Sequence, residues 1–251
     1  MALRRDMKLS KNRQGRGLHD TLRRCKASRV PLVLTHIVMM IFSLGVDMRQ
    51  ELDQFEVFAG RHRCTQAAWA AGRVAIPFEV KHDAIMYDIL GDTGFCNLVY
   101  IILRTKEASG LSPWAPVCSS WVPINLGTSK RSKAFPLGHR RLSYVREANI
   151  MVSRTMLGIR LCQAFGIPWF LEQPANSLMD SHPRFRELLR DFAIYKHKLK
   201  MKHHGGPSDK GTWLYSPFKW LADIDKLAED SPQVNSMCKP EMSKQYVDKK
   251  G

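Results

Sequence analysis

The chain has 251 residues, 44% hydrophobic and 25% charged, which excludes a disordered or fibrous polymer and fits one globular α/β domain with short appendages. Lysine and arginine outnumber aspartate and glutamate by 39 to 23, a net charge of +16, with much of the excess in residues 1–29 and Lys196–Lys202. That balance favours a polyanion, nucleic acid or an anionic membrane surface; the bland alternative is a soluble protein with a basic tail.

Six cysteines, at 25, 64, 96, 118, 162 and 238, include no CxxC pair, and no histidines have HExxH or zinc-finger spacing. No metal site is expected. The scattered thiols suit a reducing, intracellular compartment, with nucleus and cytoplasm left open.

In chain order, residues 1–29 are basic and polar and are expected to be disordered or a loose helix. Val30–Val46 is apolar behind a basic flank, as in a signal anchor, but it is short for a membrane span and contains Pro31, His36 and Gly45. From Ile37 to Leu52 the pattern continues into a charged end, so a helix covering the domain is preferred over a membrane segment.

Gln54–Gly60 reads as a strand entering a glycine turn, Arg63–Ala71 as a helix stopped by Gly72, and Arg73–Val80 as a second strand ending near Glu79. Asp88-Ile89 follow, then a helix over Cys96–Lys106 and a strand over Leu111–Pro116. Lys130–Leu142 is a basic loop punctuated by Gly and Pro, and Val145–Phe165 a long helix. Ile167–Leu171 is a continuous apolar strand running into Glu172-Gln173-Pro174. A helix over Pro183–Ala193 precedes a strand pair, Tyr195–Lys202 with Gly211–Tyr215, and a polar tail after Ser231 is expected to be disordered.

Strands alternating with helices predict a Rossmann-like, doubly wound, mostly parallel sheet with an antiparallel terminal strand, built on residues 54–230. Ligands of such sheets bind outside the carboxyl ends of the strands, where Gly60, Glu79, Cys118 and Glu172 all fall. Cys118, at the tip of LSPWAPVCSSW, is placed to be an exposed nucleophile on a sheet-held backbone; a packed, inert thiol is the alternative. Trp114 and Trp169 read as core rather than as base-stacking platforms.

The segment FEVFAGRHRCTQAAWAAG (55–72) resembles the first motif of S-adenosylmethionine-dependent methyltransferases, and most of all the D-L-F-A-G-x-G pattern of DNA cytosine-5 methyltransferases. Glu56, Val57, Phe58, Ala59 and Gly60 match it, with Glu in place of Asp. The resemblance implies that Glu56 and Phe58–Gly60 approach the cofactor's methionine part, Glu79 its ribose, and Asp88-Ile89 its adenine. WAPVCSS (114–120) resembles the family's proline–cysteine loop, making Cys118 the nucleophile, and FLEQPANS (170–177) resembles the motif that delivers a glutamate to the base, making Glu172 the match. The chain departs from the family at Arg61–Arg63, where small residues are usual. It departs again at Val117, in place of a second proline, and at Gln173-Pro174, in place of Asn-Val.

The implied chemistry is thiolate addition at cytosine C6, a carboxyl group at N3, methyl transfer to C5 and loss of the C5 proton, on a base extruded from its stack. Asn125, Lys130, Arg131, Arg140 and Arg141 are candidate phosphate ligands, the alternative being an ordinary solvated loop. Open alternatives are a methyltransferase on another acceptor and a non-catalytic nucleic-acid-binding relic of the fold.

Overall fold

The computed structural model describes residues 17–204 and 210–224; the expectations for residues 1–16 and for the tail after Ser231 lie outside that range. Six strands form one sheet in the order β2-β1-β3-β4-β6-β5: β1 Gln54–Val57, β2 Ala75–Phe78, β3 Ser112–Trp114, β4 Trp169–Pro174, β5 Tyr195–Lys200 and β6 Gly211–Ser216. β1 to β4 pair in parallel, and β6 runs antiparallel to both β4 and β5. The architecture is α/β and Rossmann-like, with a mostly parallel sheet.

The strands come from short β-branched or aromatic runs, and the helices between them carry apolar faces at helical spacing. Helices α4 (Asp92–Arg104), α6 (Ser143–Ala164) and α7 (Pro183–Asp191) pack consecutively on one another, the short α5 (Leu126–Ser129) lying between α4 and α6 in the chain, while α3 (Arg63–Ala70) packs on β1 and β2. Trp114 and Trp169 are fully buried in the main core, as expected of them. Gly158 of α6 has to be glycine, because a Cβ there would lie 2.6 Å from the Trp114 ring. Strand alternation sends Phe170 and Leu214 to a second, smaller cluster with Leu199 and Leu221.

Three local expectations are corrected. Part of the basic segment expected to be loose forms α1 (Leu18–Ala27), docked through buried Thr21 and Cys25 and tied to Glu107 by Arg24 at 2.6 Å. The helix expected over Ile37–Leu52 is instead α2, Leu32–Ser43, which stops where Gly45 takes a left-handed φ of 64°. At 12 residues it is about 18 Å long, well short of a hydrocarbon core of about 30 Å, and no described helix is long and apolar enough to cross a membrane. Finally, β4 continues past Leu171 to Pro174 because β6 pairs with it there, Glu172 opposite Leu214 and Gln173 opposite Trp213. Glu172 is therefore a strand residue, with the side chains of Gln173 and Glu172 on opposite faces.

Candidate functional site

Because β2, β1, β3 and β4 are parallel neighbours, Glu79, Gly60, Cys118 and Glu172 all sit toward one rim of the sheet, in that lateral order. The chain reverses its lateral direction between β1 and β3, the switch point at which open α/β sheets leave a crevice.

On the β1 side, the turn 58–62 holds three residues in left-handed conformations: Phe58 at φ 62°, Gly60 at 52° and His62 at 45°. Two of the three carry side chains, and each such residue costs on the order of 1–3 kcal/mol unless its surroundings fix it. Here they do. Phe58 N–H donates to the Phe78 carbonyl at 3.0 Å, and Gly60 N–H to Glu79 Oε2 at 2.9 Å. Gly60 faces open space, since a Cβ built there would meet nothing within 4 Å. Arg61–Arg63 thus do not fill the space at the turn's glycine; His62 instead lies against His82 and Trp69, with ring centroids 5.2 and 6.0 Å away.

The expected cofactor residues divide into two groups. Phe58, Ala59, Gly60 and Glu79 stand together at the turn, with Ala59 and Glu79 buried. Glu56 is used elsewhere: its Oε2 accepts from Thr65 N–H at 2.7 Å and from the Thr65 hydroxyl at 2.6 Å, capping the first turn of α3. Burial first, and the adjacent Glu56 second, push the neighbouring Cys64 thiol up to about 11. Asp88 is half-buried before α4, where Oδ1 accepts from Leu90 N–H at 2.8 Å. Ile89 is a core residue, 4% exposed, and its carbonyl, with those of Leu90 and Gly91, receives the Arg154 guanidinium.

On the β3–β4 side, Cys118 lies four residues beyond β3, at the head of a short 3-10 turn over Ser119–Trp121. It borders a cleft of about 670 Å³ whose wall includes Pro123, Ala175, Lys210 and Gly211. Burial first, and the negative charge of Glu172 second, raise its thiol above the ordinary value, while Lys210 acts in the opposite sense. The helping cation is thus Lys210. Glu172 is shifted upward by burial, the direction its apolar strand predicts, and its carboxylate accepts a hydrogen bond from Thr212 of β6.

Sequence reasoning passed over Gln173, which aligns the two strand ends. Its side chain is 2% exposed; Nε2 donates to the Pro116 carbonyl at 2.8 Å, and Oε1 accepts from the Ser177 hydroxyl at 3.0 Å. It ties the loop before Cys118 to the turn after Glu172. The available signal was parity: the neighbour of a strand residue on one face must occupy the other.

The basic loop corrects a further expectation. Arg131, expected to take phosphate, is 3% exposed and spends its guanidinium inside the protein. It donates to the carbonyls of Pro136 and Val145, to Asn149 Oδ1 and to the Ser120 hydroxyl, at 2.6 to 3.1 Å, and stacks 3.5 Å over Trp121. Burial lowers its pKa to about 10. His182 also packs edge-on against Trp121, and is pushed down to about 4 by burial and by the charges of Arg131 and Arg184. Asn125 Nδ2 donates to the Ser119 carbonyl at 2.7 Å and lines a shallow depression with Ser120 and Tyr144. Lys130, Arg140 and Arg141 are exposed around a separate depression of about 660 Å³.

Among the described residues no three His, Cys, Asp or Glu side chains are grouped to hold a metal ion. No protein-family model matches the chain, and no curated protein matches it in sequence.

Proposed function

We propose that the chain transfers a methyl group from S-adenosylmethionine to a nucleic-acid base, at C5 of cytosine, with Cys118 as the nucleophile. The observation that carries this reading is the juxtaposition of Cys118 and Glu172: Cys118 follows β3, Glu172 stands on its parallel neighbour β4, the two lie in electrostatic range, and they face Gly60 and Glu79 across the switch point. The turn suits the cofactor. Gly60 opens onto free space, and Glu79 keeps Oε1 engaged only by a 3.4 Å contact from Lys81 N–H, leaving it able to accept from a ribose hydroxyl. When bound, the cofactor supplies an electrophilic methyl group.

The chain's own residues supply the rest. The Cys118 thiol loses its proton and adds to C6, with Lys210 favouring the thiolate. Glu172, raised toward its protonated form, donates to N3 and so takes up the charge that addition pushes into the ring. The shift at Glu172 offsets part of the rise at Cys118, since a neutral Glu172 no longer opposes ionisation of the thiol. C5, made electron-rich by the addition, takes the methyl group; return of the N3 proton to Glu172, loss of the C5 proton to solvent and expulsion of the thiolate then restore the aromatic ring and free the enzyme.

A second reading, a nucleic-acid-binding relic without catalysis, draws support from the upward shift of Cys118, which leaves little thiolate at neutral pH. Calorimetry with S-adenosylmethionine, followed by methyl transfer to cytosine-containing DNA and RNA, separates them. Binding and transfer are the expected result; no heat at millimolar cofactor refutes the methyltransferase.

A further inference from the structure

The edge strand β5 repeats lysine at every second position, Lys196, Lys198 and Lys200, so that all three project from one face. The residues paired with them on β6 are Tyr215, Trp213 and Gly211. The indole of Trp213 lies under two of the ammonium groups, 4.5 Å from Lys196 Nζ and 5.7 Å from Lys198 Nζ, and is itself fixed by donating to the Ala175 carbonyl at 2.9 Å. A cation held over an aromatic face loses part of its rotamer freedom before any ligand arrives. Lys196 is also committed to Asp180 at 2.9 Å, while Lys198 and Lys200 are exposed on the same face.

This face leads into the cleft beside Cys118. Lys198 Cε reaches to 3.3 Å of where a Cβ on Gly211 would stand, with Ala175 Cβ at 3.2 Å, and both Gly211 and Ala175 form the wall of that cleft with Lys210. A side chain at Gly211 would crowd the passage between the lysines and the cleft.

We propose that Lys198, Lys200 and Lys210 form a track for the sugar–phosphate backbone of a single nucleic-acid strand, which continues from the base held at Cys118 out along β5. Alternate residues of a strand are about 6.8 Å apart, comparable to the span of one sugar–phosphate unit, so Lys198 and Lys200 can meet neighbouring phosphates. Edge lysines also deter strand pairing between molecules. That role calls neither for an aromatic platform beneath them nor for continuity with a cleft. The inference rests on the base-modifying reading above, and its test is separable from it.

The test is a fluorescence-anisotropy titration of a labelled 20-nucleotide single-stranded DNA into the full chain, at several salt concentrations, comparing the parent with Lys198→Gln/Lys200→Gln. Loss of two phosphate contacts should lower the salt slope by ~1.4 and weaken binding about 10-fold at 0.15 M salt. Lys198→Arg/Lys200→Arg should restore affinity, and calorimetric cofactor affinity should be the same in all three proteins. Unchanged affinity and slope in the Gln variant would overturn the track. So would a variant that only self-associates, or one that loses binding to phosphatidylserine vesicles while keeping its affinity for DNA. If the slope falls as stated but no methyl transfer occurs, the track stands and the methyltransferase reading fails. If transfer proceeds with the same kcat/KM in the parent and the Gln variant, the track fails and the methyltransferase stands.

Discussion

Replacing Gln173 by leucine removes the two hydrogen bonds that join the Cys118 loop to the end of β4 while changing the side-chain volume little, so no cavity contribution is expected. The Ser177 hydroxyl is only part-buried and turns to water at small cost. The Pro116 carbonyl is different: its residue is buried, and it would keep no partner from β4. An orphaned buried acceptor costs about 1–3 kcal/mol, so Gln173→Leu should destabilise the fold by about 2 kcal/mol. With a urea m-value of about 2–3 kcal/mol/M for a chain of this size, the unfolding midpoint should fall by about 0.7–1 M. Tryptophan fluorescence reads the midpoint, and the alkylation rate of the Cys118 peptide, followed by mass spectrometry, reads the loop. The released loop should alkylate faster in native buffer. A midpoint within 0.2 M of the parent (about 0.5 kcal/mol on that m-value), together with an unchanged Cys118 rate, would refute the claim that Gln173 holds the site together.

Three further outcomes follow from the same geometry. Arg131→Met should cost about 3 kcal/mol, because Asn149 and the Val145 carbonyl lose a charged donor and Trp121 its stacked cation, yet the salt slope of DNA binding should not move. Thermal melts and the anisotropy titration check the two halves of that statement. Glu172, whose folded pKa is raised, holds its proton longer in the folded than in the unfolded chain, so stability falls as pH rises above the ordinary glutamate value of 4.5 until the folded group ionises. Glu172→Gln should therefore gain on the parent across that window and match it below, read by urea midpoints at successive pH values; Cys118 should also alkylate faster in Glu172→Gln and slower in Lys210→Gln. Finally, Glu79→Ala should weaken cofactor binding by about 2 kcal/mol, roughly 30-fold, whereas Glu56→Ala should lower fold stability by about 2 kcal/mol through the lost cap on α3; calorimetry and melting curves distinguish them.

The sheet and its rim were legible because β1 to β4 are short apolar runs separated by helices long enough to cross over, and that pattern admits few arrangements. From its local sequence Glu172 lies past the end of its strand, because β4 is prolonged by β6, some forty residues away, and no local signal carries that pairing. Arg131 looked like any other cation in KRSKAFPLGHRRL; only the approach of α6 and Trp121 gives its guanidinium an interior. The docked α1 was legible in principle, since Thr21 and Cys25 are four residues apart on one helical face, but the surrounding arginines obscured that face. Glu56 illustrates a limit of motif matching: the residue type is right, but its carboxylate is held by Thr65.

The central claim is that Cys118 attacks a cytosine. A single-stranded DNA carrying 5-fluorocytosine, incubated with the full chain and S-adenosylmethionine, should become covalently attached, because fluorine does not leave C5 as a proton does. Peptide mapping should place the adduct on Cys118, and Cys118→Ser should bind cofactor as the parent does and form no adduct. Unchanged methyl transfer by Cys118→Ser to ordinary DNA, or an adduct mapped to another residue, would contradict the claim.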